Sequence, residues 1–126
     1  MKWIHFPAVL VLACLPTVTP FVLVAAEICE RPAPPTTVGY LEAGECFLRA
    51  QDWERAEAHL RTYLRQNPGS AVATALHAQA LVHLSHPFDA VLEVEAFLRK
   101  DPDSAQVLKV YAELLERVVK GYPKIG

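Results

Sequence analysis

Glycine and clustered charge are scarce in this 126-residue chain. It contains five glycines, and its 12 Lys and Arg residues nearly balance 14 Asp and Glu residues. It has no Lys/Arg block interleaved with aromatic residues, so no nucleic-acid partner is expected. It also lacks a phosphate-cradling glycine loop, a zinc-protease histidine pair and a Gly-flanked serine elbow. We therefore expect neither an enzyme nor a bound cofactor.

What the chain has instead is a repeated pattern of helical segments that end at prolines. Asn67-Pro68-Gly69-Ser70 returns 34 residues later as Asp101-Pro102-Asp103-Ser104. Before each proline, apolar residues recur at three- and four-residue steps, which is typical of amphipathic helices. Asp52, Ser70 and Ser104 suit N-caps, and Pro87 suits the first turn of a helix. This pattern predicts five helices, near residues 37–50, 53–66, 71–84, 87–100 and 105–120.

A period of about 34 residues is also that of the tetratricopeptide repeat. Residues 37–104 resemble two tandem repeats of this family, the second more weakly than the first. The first unit supplies Tyr40, Ala43-Gly44, Phe47, Ala56, Leu60 and Pro68, and the second supplies Thr74, His77-Ala78, Leu81, Ala90, Val94 and Pro102. The resemblance implies an all-α domain over residues 37–126, made of two helix–turn–helix units and a capping helix. A generic helical bundle is the alternative.

The resemblance further implies a concave groove that binds another protein. Its groove positions fall on Val38, Leu41, Glu45, Leu48 and Arg49, on Val72, Ala75, Gln79, Val82 and His83, and, in the capping helix, on Lys109 and Glu113 among others. The first two sets are mostly apolar, so the expected ligand is an apolar or amphipathic segment of a partner. The chain's own N-terminal arm, or a second copy, are alternative occupants. Leu41 and Glu45 stand where carboxylate-clamping family members need Lys and Asn, which argues against that mode.

The N-terminus has a different character from the repeats. Lys2 precedes an uncharged stretch over residues 3–26 that is long enough to span a bilayer, and Val24-Ala25-Ala26 fits a signal-peptidase site. A cleaved signal peptide, a retained membrane-anchor helix and lipidation at Cys14 remain open. Residues 27–36 are proline-rich and are expected to form a stiff linker. The first two alternatives both place the repeats outside the inner membrane, so we expect a periplasmic or exported bacterial protein, anchored if the leader is retained.

Cysteines and histidines give weaker indications. Cys29 and Cys46 are a candidate disulfide in an exported chain, with a small buried Cys46 as the alternative. His77, His83 and His86 are spaced by six and three residues, which does not place them on one helix face, so no metal site is expected. His77 is instead expected in the core. Glu54 and Glu57 are expected on the solvated surface.

Together these features predict a protein–protein interaction scaffold, or an accessory assembly factor, in the bacterial cell envelope. The alternative is a structural subunit of a larger membrane complex, held by an uncleaved N-terminal helix. Two repeats and a cap are short for this architecture. We therefore expect apolar surface on Trp53, Tyr63, Val110 or Val118 to remain open for a partner or a homodimer.

Overall fold

The computed structural model describes Cys29 and residues 37–121, and these residues form an all-α domain. Its five helices are α1 (Thr37–Arg49), α2 (Trp53–Gln66), α3 (Ala71–His83), α4 (Pro87–Leu98) and α5 (Ala105–Gly121). All five predicted helices are confirmed, with ends that differ by no more than two residues. The predicted leader, its cleavage site and Cys14 lie outside the described residues, as does the linker apart from Cys29. Within the described part, no helix is both long and apolar enough to cross a bilayer.

Local sequence explains where the helices begin. The Asp52 carboxylate accepts a hydrogen bond from the backbone N–H of Arg55 at the start of α2. The Ser70 hydroxyl accepts from the N–H of Ala73 at the start of α3. Pro87 occupies the first turn of α4, where a missing N–H costs no hydrogen bond. The predicted caps at Asp52 and Ser70 are therefore confirmed.

The helix ends repeat with the same period as the sequence. Gln51 and Ser85, which are 34 residues apart, both have positive φ angles, 60° and 65°. At each turn two backbone hydrogen bonds close the helix: Gln51 to Leu48 and Asp52 to Phe47, then Ser85 to Val82 and His86 to Leu81. This is the Schellman arrangement, which satisfies carbonyl groups that a helix end would otherwise leave unpaired. The turns after α2 and α4 repeat as well, because Asn67 donates to Tyr63 and Asp101 donates to Phe97.

The helices pack sequentially, in two layers. Each helix contacts the next, and α3 also contacts both α1 and α5, so these three lie side by side. Within residues 37–121, α2 and α4 do not contact each other. One apolar cluster joins the first hairpin to α3, through residues that include Phe47, Leu60 and Ala80. A second cluster joins α3, α4 and α5, and contains Val94, Val107 and Leu114.

Small residues allow the paired helices to touch. Ala56, Ala78 and Ala90 are fully buried at these contacts. Gly44 of α1 packs directly on Leu60 of α2, and a Cβ atom at Gly44 would lie 2.6 Å from Leu60 Cγ. Leu60 is itself fully buried. Small side chains at these positions therefore let the paired helices approach closely.

A disulfide joins the N-terminal segment to the first helix. Cys29 and Cys46 are 17 residues apart in sequence, and their Cα atoms are 5.5 Å apart. Cys29 is 7% exposed and belongs to the apolar cluster that contains Phe47 and Leu60. It therefore covers part of α1 at the end of the stack that no earlier hairpin covers. Closing a loop of this length stabilises a folded chain by about 3 kcal/mol in the chain-entropy account.

The contact between Gly44 and Leu60 gives a stability prediction. We expect Gly44→Val to lower the free energy of unfolding by about 1–3 kcal/mol, because the new side chain overpacks a filled site. Gly69→Val is the matched control, since a Cβ there meets nothing within 4 Å and its φ is not positive. Urea unfolding monitored by circular dichroism measures both. Equal midpoints for the two variants would contradict the packing account.

Candidate functional site

The layer formed by α1, α3 and α5 carries the predicted groove positions. Four of them line one depression of about 40 Å³ between α3 and α5, namely Gln79, Val82, His83 and Glu113. Val110, Leu114 and Arg117 complete its lining. Lys109 is exposed on the same helix as Glu113. Three predicted positions of α3 and one of α5 therefore line the same small site, which has apolar and charged walls.

The α1 positions vary in how accessible they are. Val38 is 61% exposed and Arg49 is also exposed, whereas Glu45 is half-buried. Leu41 and Leu48 are partly buried against the apolar cluster of the first hairpin. They support the fold as well as the surface, so replacing them would disturb both. Val72 of α3, at 38% exposed, is a cleaner surface position.

One predicted groove residue requires correction. Ala75 is 2% exposed and belongs to the apolar cluster of α3, α4 and α5. The capping helix packs beside α3 and covers this position, so Ala75 is a core residue that no ligand could reach. Val110, expected to remain open on the cap, is also buried at 6%.

An aromatic pair stands at one end of the groove layer. The rings of Trp53 and His83 are stacked, with centroids 3.8 Å apart and an interplanar angle of 6°. Trp53 begins α2 and His83 ends α3, so the pair joins the two hairpins. Much of the indole surface that the sequence left open is thus covered by His83.

A cavity lies on the opposite side, in the gap between α2 and α4. Its volume is about 430 Å³, which is within the range of small-ligand sites. Leu64, Pro68, Ala96 and Phe97 supply apolar walls, and Arg61, Arg65, Thr74, His77, Glu93 and Lys100 supply polar lining. Sequence reasoning missed this cavity, because its lining comes from three helices and two connecting segments.

A charged cluster lies at the floor of this cavity. His77 Nδ1 donates to Glu93 Oε2 at 2.6 Å, and Nε2 donates to Glu57 Oε1 at 3.1 Å. Ionised carboxylates only accept hydrogen bonds, so this arrangement requires both ring nitrogens to carry a proton. Arg61 Nη1 lies 3.3 Å from the same Glu57 oxygen. One imidazolium therefore links α2, α3 and α4.

Burial and the carboxylates act on His77 in opposite directions. Burial lowers the pKa of the imidazole, but the hydrogen bonds and charges of Glu93 and Glu57 outweigh it, so the pKa lies above 6.5. The expected core position of His77 is confirmed, since the residue is 6% exposed. The expectation that Glu57 is solvated is wrong, because its side chain is only 15% exposed and contacts His77.

The chemistry of this cluster is structural. Both ring nitrogens are committed to carboxylates, so neither has a lone pair for a metal ion or for a proton from a ligand. His77, His83 and His86 also do not converge. His83 stacks on Trp53, and His86 precedes α4 with Nδ1 3.4 Å from Asp89 Oδ2. Among the described residues, no group of His, Cys, Asp or Glu is arranged to hold a metal.

Comparison with known proteins does not assign the chain to a family. No protein-family model matches it, and no curated protein matches it. The chain is therefore described as a small all-helical domain of five helices, with no family identified.

The His77 cluster gives a pH prediction. A pKa raised by folding adds stability that is fully present below pH 6.5 and is lost as pH rises through the folded-state pKa. We therefore expect this contribution to the free energy of unfolding to fall as pH rises above about 6.5. Urea unfolding across that range measures it. His77→Gln should flatten the dependence and the exposed control His86→Gln should retain it, whereas an unchanged profile in His77→Gln would contradict the assignment.

Proposed function

We propose that this protein is an exported helical-repeat scaffold that binds an apolar or amphipathic segment of another envelope protein. The binding surface is the face formed by α1, α3 and α5. The observation that carries the proposal is the repeated turn geometry. Two hairpins with the same backbone hydrogen bonds, offset by 34 residues, support the likeness to tetratricopeptide repeats. Such stacks usually present a concave surface to polypeptide partners.

The chemistry of this face favours an apolar ligand with charge at one end. Val38 and Val72 expose apolar side chains along α1 and α3. Glu113 and Arg117 add charge of both signs on α5. An amphipathic helix could bury its apolar side against the valines and pair its polar side with the charged end. The valines and these charged residues all lie on the layer formed by α1, α3 and α5.

The disulfide supports the proposed location. Its presence indicates an oxidising compartment, since disulfides are rare where glutathione keeps thiols reduced. Together with the apolar stretch over residues 3–26, it favours the bacterial periplasm or another extracytoplasmic space. The rival proposal is a membrane-anchored structural subunit held by that stretch. N-terminal sequencing separates the two, because a first residue of Glu27 indicates release and a first residue of Met1 indicates an anchor.

The groove model predicts that exposed valines, and not the half-buried leucines, control partner capture. We expect the double variant Val38→Glu/Val72→Glu to lose at least about tenfold in partner affinity, because apolar contacts are replaced by buried charge. Affinity capture from an envelope extract, quantified by mass spectrometry, identifies the partner, and titration measures the loss.

The matched control is Leu92→Glu, which changes a 63% exposed apolar residue of α4 in the other layer. It should retain the partner, and circular dichroism should show that all variants are folded. Capture that survives the valine changes but is lost with Leu92→Glu would place the binding surface elsewhere.

A second candidate is a ligand site in the α2–α4 cavity. Arg61, Arg65 and Lys100 are exposed around it, and the His77 imidazolium lies beneath. These four cations outnumber the two carboxylates, Glu57 and Glu93. Apart from Thr74, the remaining walls are apolar. A cavity with this lining is complementary to an apolar group that carries a carboxylate.

Simple probes test the second candidate. We expect calorimetric titration to detect octanoate binding but not octylammonium binding, because the cavity attracts anions. The double variant Arg65→Glu/Lys100→Glu should lose octanoate binding, and Arg49→Glu, on the opposite layer, should retain it. Equal binding of both probes, or of neither, would refute a carboxylate site.

A further inference from the structure

The capping helix α5 has two apolar faces, and only one of them is buried. Val107, Val110 and Leu114 form the buried face against α3 and α4. A second row consists of Leu108, Ala112, Leu115 and Val119, all of them exposed, with Leu108 at 42%, Leu115 at 39% and Val119 at 67%. At 3.6 residues per turn this row lies roughly a third of a turn away from the buried face. We call these four residues the α5 seam.

The spacing of the α5 seam is that of a two-helix coiled coil. Its members are four, three and four residues apart, which is the alternation of a and d positions in a heptad. The same spacing reads identically in both chain directions. In two antiparallel copies of α5, Leu108 can therefore lie against Val119 of the other copy, and Ala112 against Leu115. The two-fold symmetry forms each of these contacts twice. A single repeat of this seam on a 17-residue helix is enough for a symmetric contact but short for an isolated coiled coil.

Charges beside the α5 seam match the same arrangement. Lys109 and Glu116 are exposed and lie next to seam residues on the side away from Tyr111. In an antiparallel pair, Lys109 of each copy comes beside Glu116 of the other. Glu116 Oε1 also contacts Lys120 in its own helix. Two opposite-charge contacts thus flank an apolar centre.

We propose that the α5 seam binds a second copy of this chain, giving an antiparallel homodimer through α5. The other layer of helices and the groove valines stay free in this dimer, since Val38 and Val72 belong to α1 and α3. The dimer shares Lys109 with the predicted groove positions, but the valines that test groove binding lie on α1 and α3 and are not part of it. A dimer would present two grooves, each belonging to one copy. The end of the stack opposite the disulfide is then covered by the same helix from the partner copy.

Charge reversal provides the test. The full chain, with its disulfide intact, is studied by sedimentation equilibrium over a concentration series. We expect a reversible dimer for the wild-type protein. Glu116→Lys should weaken it by roughly tenfold or more, because two attractive contacts become repulsive. The double variant Lys109→Glu/Glu116→Lys should restore it by exchanging the two signs.

The control is Glu113→Lys, which makes the same charge change on α5 outside the α5 seam and its two flanking positions. It should retain the dimer. A wild-type protein that stays monomeric throughout the series overturns the proposal, and would leave the seam to the chain's own N-terminal residues or to another protein. A double variant as weak as Glu116→Lys alone also overturns it, because pairing across the two-fold axis predicts rescue. Binding of a partner to the groove is measured separately with the valine variants. Either the groove proposal or the dimer proposal can therefore be refuted without the other.

Discussion

The close contact between helices within each hairpin is the constraint on which the rest of the structure depends. Gly44 lies against the buried Leu60 with no room for a Cβ atom, and Ala56, Ala78 and Ala90 are fully buried at equivalent contacts. Such short distances let the apolar clusters fill without voids, and dense packing is what gives a small domain a single arrangement. The 34-residue offset is consistent with this packing, since the two hairpins close their helices with the same turn hydrogen bonds.

Stacking also creates the polar feature that distinguishes this domain from a purely apolar bundle. Because α2 and α4 do not touch, the gap between them exposes the side of α3 that carries His77. Carboxylates reach the imidazole from both neighbours, Glu57 on one side and Glu93 on the other. A cation held between two anions compensates for its own burial. The same residue therefore joins α3 to both α2 and α4 through its two carboxylate partners.

Local patterns explain why the helices were predictable and the cavity was not. Pro68, Pro87 and the caps at Asp52 and Ser70 act on adjacent backbone, so the sequence determines those boundaries directly. Glu57 and Glu93 are 20 and 16 residues from His77, and only the helix packing brings them together. The glutamates resemble surface residues in their own helices. The prediction that Ala75 lines the groove is wrong for a related reason. A position that would be on the surface of an isolated α3 becomes part of the core once the neighbouring helices pack against it.

The two ends of the stack differ, and this difference indicates how the domain meets its surroundings. At the α1 end the disulfide holds Cys29 against the apolar cluster, so a covalent bond covers surface that a further hairpin would otherwise bury. At the α5 end the described residues include no such cover, and the exposed leucines and valine follow a heptad spacing. A terminal repeat with a polar outer face would be sufficient for solubility. An apolar outer face flanked by opposite charges instead specifies a helical neighbour, and antiparallel pairing satisfies that pattern with the chain's own sequence.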